Sequence, residues 1–518
     1  MIPAVEFKGL SKSFHGVAAN VDISLKVRKG SIHAIIGENG AGKSTAMKIL
    51  YGTYSPDAGE IYLDGQLWGG RNKAWSSPSD AIHLGIGMVH QHFMLSGPNT
   101  VLDNILLGVE PSSSKWKWLP HSLRPIDRQS ARKKLEAISS QYGLQVDLDA
   151  QVEDLSVGVQ QRIEILKLLY KNAQILILDE PTAVLTPQET TELFSNLKKL
   201  CQQGKTVLII THKLKEVMSV ADRVTVFRAG RVVGEREVHE TSTEDLATLM
   251  VGRKVSLQAE APPKPVLGAP VVQMRNVSLP GHHPLREIQL SVAAGEVVGI
   301  SGVEGNGQAE LIQVLMHPKD YSESLTGEIK ILGKDTRELH TDEIKKLGVG
   351  VIPDDRLRDA LLLDRPVREN FLLGLQRRKP FNQNGLISES QLELATQKAI
   401  QEYDIRPRSA QARAGGLSGG NQQKLVIARE FEYSPKFLIA AQPTRGVDVG
   451  AIEFIHKRIL RARSEGCGVL LISSELDEVL ALSDRILVMY EGRIVAEFNR
   501  GEVTERLLGL RMGGAMSL

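Results

Sequence analysis

Only two cysteines, Cys201 and Cys467, stand in 518 residues. Two thiols cannot build a disulfide framework, and a reducing cytoplasm suits the chain best. Long apolar runs are also missing. None approaches the roughly 18 residues that a membrane-spanning helix needs. The opening residues MIPAVEFKGLSKSF have no basic stretch leading into an apolar one, which predicts no secretory signal. Nor does one sign of charge dominate: 63 Lys and Arg against 61 Asp and Glu give a net charge of +2. A dedicated nucleic-acid binder would show a basic excess. What is present is ordinary. Apolar residues make up 42% and charged residues 24%, which suits globular cores and excludes a disordered, collagen-like or membrane-embedded chain. The length predicts more than one domain.

The chain repeats itself. LSVGVQQRIEI at 155–165 returns as LSGGNQQKLVI at 417–427, ILILDEPT at 175–182 as FLIAAQPT at 437–444, and VLIITHKLKEV at 207–217 as VLLISSELDEV at 469–479, each 262 residues later. GENGAGKST at 37–45 pairs with GVEGNGQAE at 302–310, 265 residues later, so short insertions separate the copies. Repeats at a fixed offset mean duplicated structural units. Residues 256–270, SLQAEAPPKPVLGAP, carry four prolines and no helical or strand period. Such stretches are semi-rigid spacers. This places one domain at 1–255, a linker at 256–267 and a second domain at 268–518. Short β-rich runs at 31–37, 174–180 and 206–211 predict buried parallel strands. Helical patterns lie between them, as with Ile163, Leu166 and Tyr170. The alternation predicts an α/β fold with a mostly parallel sheet in each half. The length leaves room for an antiparallel β region near each start and a helical insert near 100–155.

Gly37, Glu38, Asn39, Gly40, Ala41, Gly42, Lys43, Ser44 and Thr45 match G-x-x-x-x-G-K-[ST], between a β run and a helical pattern. In that context the motif cradles phosphates. Glycines let backbone N–H groups approach phosphate oxygens, and the helix start adds its positive dipole. Lys43 is positioned for the β- and γ-phosphates and the Ser44 hydroxyl for Mg²⁺. Asp179 and Glu180 close the apolar run ILIL. A carboxylate at the carboxyl end of a parallel strand lies beside such a loop. Asp179 is expected to hold Mg²⁺ through water, and Glu180 to act as general base on the attacking water.

Five motifs in this order resemble the ATP-binding cassette, the nucleotide-hydrolysing domain of ABC transporters. The distinguishing mark is the LSGGQ-type signature, present as Leu417-Ser418-Gly419-Gly420-Asn421-Gln422 and altered as Leu155-Ser156-Val157-Gly158-Val159-Gln160. The resemblance implies two tandem P-loop cassettes, each with a parallel sheet core, an antiparallel region and a helical subdomain. It implies ATP and Mg²⁺ as cofactors. It further assigns Phe14 to stacking on adenine, Gln91 to Mg²⁺ and to sensing a membrane partner, and His212 to the γ-phosphate. The aspartate that the family carries after Pro181-Thr182 is Thr186 here.

The second half departs from the pattern. Gln308 and Ala309 replace the loop lysine and hydroxyl, Ala441 and Gln442 the acidic pair, Ser474 the histidine, and Asp354 the glutamine. No aromatic matches Phe14, since the stretch is SLPGHH, and His282-His283 is too sparse for a metal site. Yet Ser418, Gly419, Gly420, Gln422 and Asp448 are kept. Cassettes of the family pair head to tail, each ATP lying between the loop of one and the signature of the other. The resemblance therefore implies one complete composite site: the first half's loop, acids, Gln91 and His212 with the second half's signature and Asp448. The other site would be degenerate, combining Gln308, Ala309, Ala441, Gln442 and Ser474 with Ser156 and Val157. Its Val157 adds a side chain where backbone should approach phosphate.

Fused cassettes with a degenerate second half resemble the ATPase subunits of bacterial simple-sugar importers. MVHQHFML, GVEGNGQ and AAQPTRG lean toward the nucleoside branch of that group. The resemblance implies two membrane permease subunits, a substrate-binding protein or lipoprotein, no nucleic acid, and a peripheral place on the cytoplasmic face. The alternatives are a ribose- or galactose-type sugar importer, or a soluble tandem cassette protein acting on ribosomes or DNA. The last expects two working sites and a long charged linker, and neither is seen here.

Overall fold

In a computed structural model the described residues are 2–14, 16–70, 77–90, 93–112, 125–182, 185, 187–253, 267–303 and 305–512. Gln91, Thr186 and all of the Pro-rich linker except Leu267 lie outside them. The chain divides into two compact units, Met1–Val255 and Ser256–Leu518.

The first unit contains β1 (Val5–Phe14), β2 (Val17–Val27), β3 (Ile32–Gly37), β4 (Ala58–Leu63), β5 (Gln66–Gly70), β6 (Ile86–Val89), β7 (Ile175–Asp179), β8 (Thr206–Thr211), β9 (Arg223–Arg228) and β10 (Arg231–Glu237). They form two sheets. An antiparallel sheet runs β2-β1-β4-β5, and a second runs β10-β9-β3-β8-β7-β6. In the second sheet β9, β3, β8, β7 and β6 are parallel, with β10 added antiparallel at one edge.

Both faces of the parallel sheet are covered, which requires strands that are apolar at every position. In β7 alternation then decides which core each residue joins. Ile175 and Ile177 pack toward the antiparallel sheet with Phe7, Ile23 and Ile61. Leu176 and Leu178 pack toward the helices with Val101, Leu135, Ile163 and Leu166. β8 divides the same way, with Leu208 and Ile210 on one side and Val207 and Ile209 on the other. The helical region comprises Val101–Leu106, Arg128–Tyr142 and Val157–Tyr170, so it runs past the expected 155. Thr100 and Asp127 cap the first two helices by accepting from Asp103 and Ser130 N–H, and Gly143, at φ 70°, ends the second. These are ordinary start and stop signals for helices.

The second unit contains β11 (Pro270–Leu279), β12 (Leu285–Ala293), β13 (Val297–Ser301), β14 (Thr326–Ile331), β15 (Lys334–Asp335), β16 (Val349–Ile352), β17 (Asn382–Gln383), β18 (Leu386–Ile387), β19 (Phe437–Ala441), β20 (Gly468–Ile472), β21 (Arg485–Tyr490) and β22 (Arg493–Asn499). Its sheets run β12-β11-β14-β15 and β16-β19-β20-β13-β21-β22. Read from the other edge, the larger is β22-β21-β13-β20-β19-β16, strand for strand the order of the first unit. Among the described residues, the second unit adds the small hairpin β17-β18. Among the described residues no helix is long and apolar enough to cross a membrane.

Candidate functional site

The strand order of the first unit decides what meets. β8 lies between β3 and β7. The three carboxyl ends therefore bring together the loop 37–45, His212 and the pair Asp179-Glu180. This is the crevice where open parallel sheets bind ligands.

The loop leaves β3 and enters the helix Lys43–Leu50. Gly42 is its N-cap at φ 95°, and a Cβ there would collide with the Ala19 carbonyl and lie 2.5 Å from Asn20 Nδ2. Both the left-handed backbone and the close approach require glycine. Asn20 also donates to the Gly42 carbonyl at 3.0 Å, which ties β2 to the loop. Asn39 and Gly40 are exposed at the loop's crown, while Gly37, Ala41 and Gly42 are buried and Glu38, Ser44 and Thr45 are half-buried. Lys43 is buried, and its ammonium donates to the Gly37 and Glu38 carbonyls at 2.8 and 3.0 Å. Burial pulls its pKa below the usual lysine value, against the charges of Glu180, Asp179 and Glu38. A cation held only by loop carbonyls can turn toward a phosphate.

Ser44 Oγ donates to Asp179 Oδ1 at 3.3 Å. Burial pushes the Asp179 carboxyl above its usual range, although the Ser44 hydrogen bond opposes this. Two hard oxygens side by side at the loop, one of them a buried carboxylate, fit Mg²⁺, which takes one or two such ligands and completes its shell with phosphate and water. Glu180 has φ 49°, the left-handed region, and its N–H donates to the Ile210 carbonyl at 2.9 Å. A glutamate in that conformation is strained. The strain turns its side chain toward His212, whose Nδ1 is 3.0 Å from Glu180 Oε1. That hydrogen bond holds the Glu180 carboxyl below the ordinary glutamate range. Phe14 is half-buried at the end of β1. Tyr54 meets its ring edge-on with centroids 5.1 Å apart, and Lys12 Nζ lies 5.5 Å from its centroid.

The same positions in the second unit keep the shape without the charge. Gln308 Nε2 donates to the Val303 carbonyl at 3.0 Å, and Gln308 Oε1 accepts the Asn306 N–H at 3.1 Å. An amide both donates and accepts, so it closes on its own loop, whereas an ammonium can only donate. Asn306 adds bonds to the Val303 carbonyl and the Glu491 N–H. His283 Cε1 lies 3.6 Å from where a Cβ on Gly305 would stand. Ala309 and Ala441 leave methyl groups in place of the Ser44–Asp179 pair. Gln442 repeats the strained backbone at φ 45°, and its Oε1 accepts from Ser474 N–H and Oγ at 3.2 and 3.1 Å. A neutral pair thus stands where Glu180 and His212 stand in the first unit. Asp354 is exposed.

A profile of the ABC transporter family matches residues 21–183 and 285–445. The chain is 46% identical to the guanosine import ATP-binding protein of Bacillus subtilis, over 99% of this chain and 97% of that one. It is 43% identical to the nucleoside import ATP-binding protein of Lactococcus lactis, over 98% of each. It is 42% identical to the glucose import ATP-binding protein of Haloferax volcanii, over 99% of this chain and 96% of that one. The chain belongs to the ABC transporter family. It is an ATPase built of two tandem cassettes.

The signature of the second cassette opens the helix Gly419–Phe431. Ser418 is exposed at its N-cap, where its Oγ accepts from Asn421, and Gly419 and Gly420 follow in the first turn. Asp448 caps the helix Val449–Ser464 by accepting the Ala451 N–H at 2.8 Å, and its Oδ2 would lie 2.6 Å from a Cβ on Gly420. Gln422 is not brought to this cluster. It is 6% exposed, turned inward, and donates to the Ala414 carbonyl at 3.1 Å. That hydrogen bond ties the start of the signature helix to the turn before it. In the first cassette Ser156 caps its helix without a side-chain hydrogen bond, and Val157 is exposed at the first helical position.

Some residues of the site were not foreseen. Thr182 Oγ1 donates to Glu216 at 2.6 and 2.7 Å to its two oxygens, which ties the segment after Glu180 to the helix after His212. A signal existed, because Thr182 and Glu216 recur as Thr444 and Glu478 at the offset of 262. Tyr54 and Asn20 gave none.

Proposed function

We propose that this chain powers an importer of nucleosides, working through separate membrane permease subunits and fed by a substrate-binding protein or lipoprotein. Its place would be peripheral, on the cytoplasmic face of the membrane. The domains are 1–255 and 268–518 with a linker at 256–267. One ATP would be hydrolysed at a composite site, made by the loop, acids and His212 of the first domain with Ser418, Gly419, Gly420 and Asp448 of the second after head-to-tail pairing. The single observation that carries the one-site reading is the contrast between Lys43, held only by loop carbonyls, and Gln308, closed on its own loop at both ends.

In this reading Lys43 turns from the Gly37 and Glu38 carbonyls to the β- and γ-phosphates. Ser44 and Asp179, with Gln91, would hold Mg²⁺, which would neutralise phosphate charge. Glu180 takes a proton from the attacking water at its carboxylate. His212 holds that carboxylate through Nδ1 and keeps it ionised. Phe14 stacks on adenine, with Tyr54 fixing its plane. The degenerate site would lack the cation, both acids and the metal hydroxyl.

The nucleoside assignment is supported by the guanosine and nucleoside import relatives. A relative named for glucose import at nearly the same identity favours a sugar as the second reading. Uptake of labelled guanosine, ribose and glucose by cells carrying the wild type or Glu180→Gln separates them. Loss of guanosine uptake alone is expected. Loss of a sugar uptake instead would move the chain to the sugar importers and leave the ATPase intact.

A further inference from the structure

Arg356 spends its guanidinium on backbone. Nη1 donates to the Arg445 carbonyl at 2.7 Å and Nη2 to the Gly446 carbonyl at 3.3 Å. Its Nε is buried without a hydrogen-bond acceptor. Burying part of a cation for two carbonyls is costly, so the contact needs a reason. The guanidinium also packs on the signature. A Cβ on Gly419 would lie 2.7 Å from Arg356 Nη2 and 2.7 Å from the Gly446 carbonyl. Only glycine leaves room for that wedge. The next residues carry the contact on, since Asp448 begins its helix two residues past Gly446 and lies against Gly420.

The segment that supplies Arg356 is itself tied to the signature helix. Glu430 Oε2 accepts the Val351 N–H at 3.1 Å, and Arg429 Nη1 donates to the Ala360 carbonyl at 2.8 Å. Arg356 is the member of this set that reaches both the signature glycine Gly419 and the turn before Asp448. In the register that pairs β6 with β16, the first unit has Phe93 at this position. A phenyl ring cannot bond two carbonyls. Phe93 therefore cannot repeat this link in the first unit.

We propose that Arg356 is a positioning residue for ATP hydrolysis. It locks the turn 445–446 to the signature, so that Ser418, Gly419, Gly420 and Asp448 stand in one fixed arrangement. The proposal rests on the one-site reading, in which that arrangement completes the site of the first domain.

The test uses the full-length chain with Arg356→Met and Arg356→Lys. Steady turnover is measured against ATP concentration, and bound ATP per chain is counted in a Glu180→Gln background. Arg356→Met is expected to lower kcat roughly 10- to 100-fold, the scale on which slight misplacement of a reacting group acts. KM for ATP and the amount bound should hold, because the loop that grips ATP is untouched. Arg356→Lys should recover part of the rate, since an ammonium can reach one carbonyl. The proposal is overturned if Arg356→Met keeps kcat within about twofold of wild type. It is equally overturned if turnover and bound ATP fall together without rescue by lysine, which is loss of folding. Ser418→Arg separates the two ideas. If it leaves turnover intact, the one-site reading fails. If it abolishes turnover while Arg356→Met is silent, only the role of Arg356 fails.

Discussion

Glu180 and Gln442 occupy the same left-handed backbone at the end of equivalent strands, with φ of 49° and 45°. The strain is therefore a property of the fold, and chemistry depends on what the side chain carries. Glu180→Gln removes the proton acceptor and keeps the shape. It should lower steady hydrolysis at least about 100-fold, the loss typical of a group acting directly in the transition state. Gln442→Ala should stay within a few-fold in the same turnover assay. Equal loss in both would contradict the asymmetry. The Glu180–His212 bond also sets a pH dependence. It holds the Glu180 carboxyl below its ordinary range, so the base stays ionised further into acid. The sign for stability follows: the contribution is present above the unfolded glutamate pKa and is lost as pH falls through the lower native one. In His212→Ala the carboxyl returns upward. The acid limb of its residual kcat profile should move to higher pH than in the wild type, and an unmoved limb would count against the pair.

At the scale of the element, the strands were legible because each is mostly apolar and the segments around them recur 262 or 265 residues later. β3, β7 and β8 fall where the sequence predicts them, within one residue at each end. The loop 37–45 was legible because its glycines, lysine and hydroxyl need that spacing between strand and helix. Side-chain direction was not legible. Gln422 lies within a signature motif, yet its amide turns to Ala414. Arg356 finds its partners 89 and 90 positions away, and no local pattern encodes that distance. Gln422→Ala should therefore act on the element. It removes one of the two donors to the buried Ala414 carbonyl, leaving the Leu417 N–H, at a cost of about 0.5–1.5 kcal/mol. A lower Tm with unchanged KM for ATP is expected. A raised KM with unchanged Tm would return Gln422 to the nucleotide.

For the whole molecule, duplication has kept the architecture and let the chemistry diverge. The larger sheets share one strand order, and both antiparallel sheets are in place. The first unit keeps its cation, its acids and its metal hydroxyl. The second replaces the cation and one acid with amides, Gln308 and Gln442, that bond nearby backbone, and the other acid and the hydroxyl with the methyl groups of Ala441 and Ala309. Such substitutions keep buried polar groups paired, so a unit can lose catalysis without losing its fold. The second unit would then contribute its signature, Asp448 and Arg356 to the ATP held by the first. The most direct test is equilibrium binding of ATP with Mg²⁺ to the full chain carrying Glu180→Gln, counted per chain. The account predicts one ATP bound, abolished by Lys43→Ala and unaffected by Gln308→Ala. Two ATP per chain, or binding that survives Lys43→Ala, would contradict it.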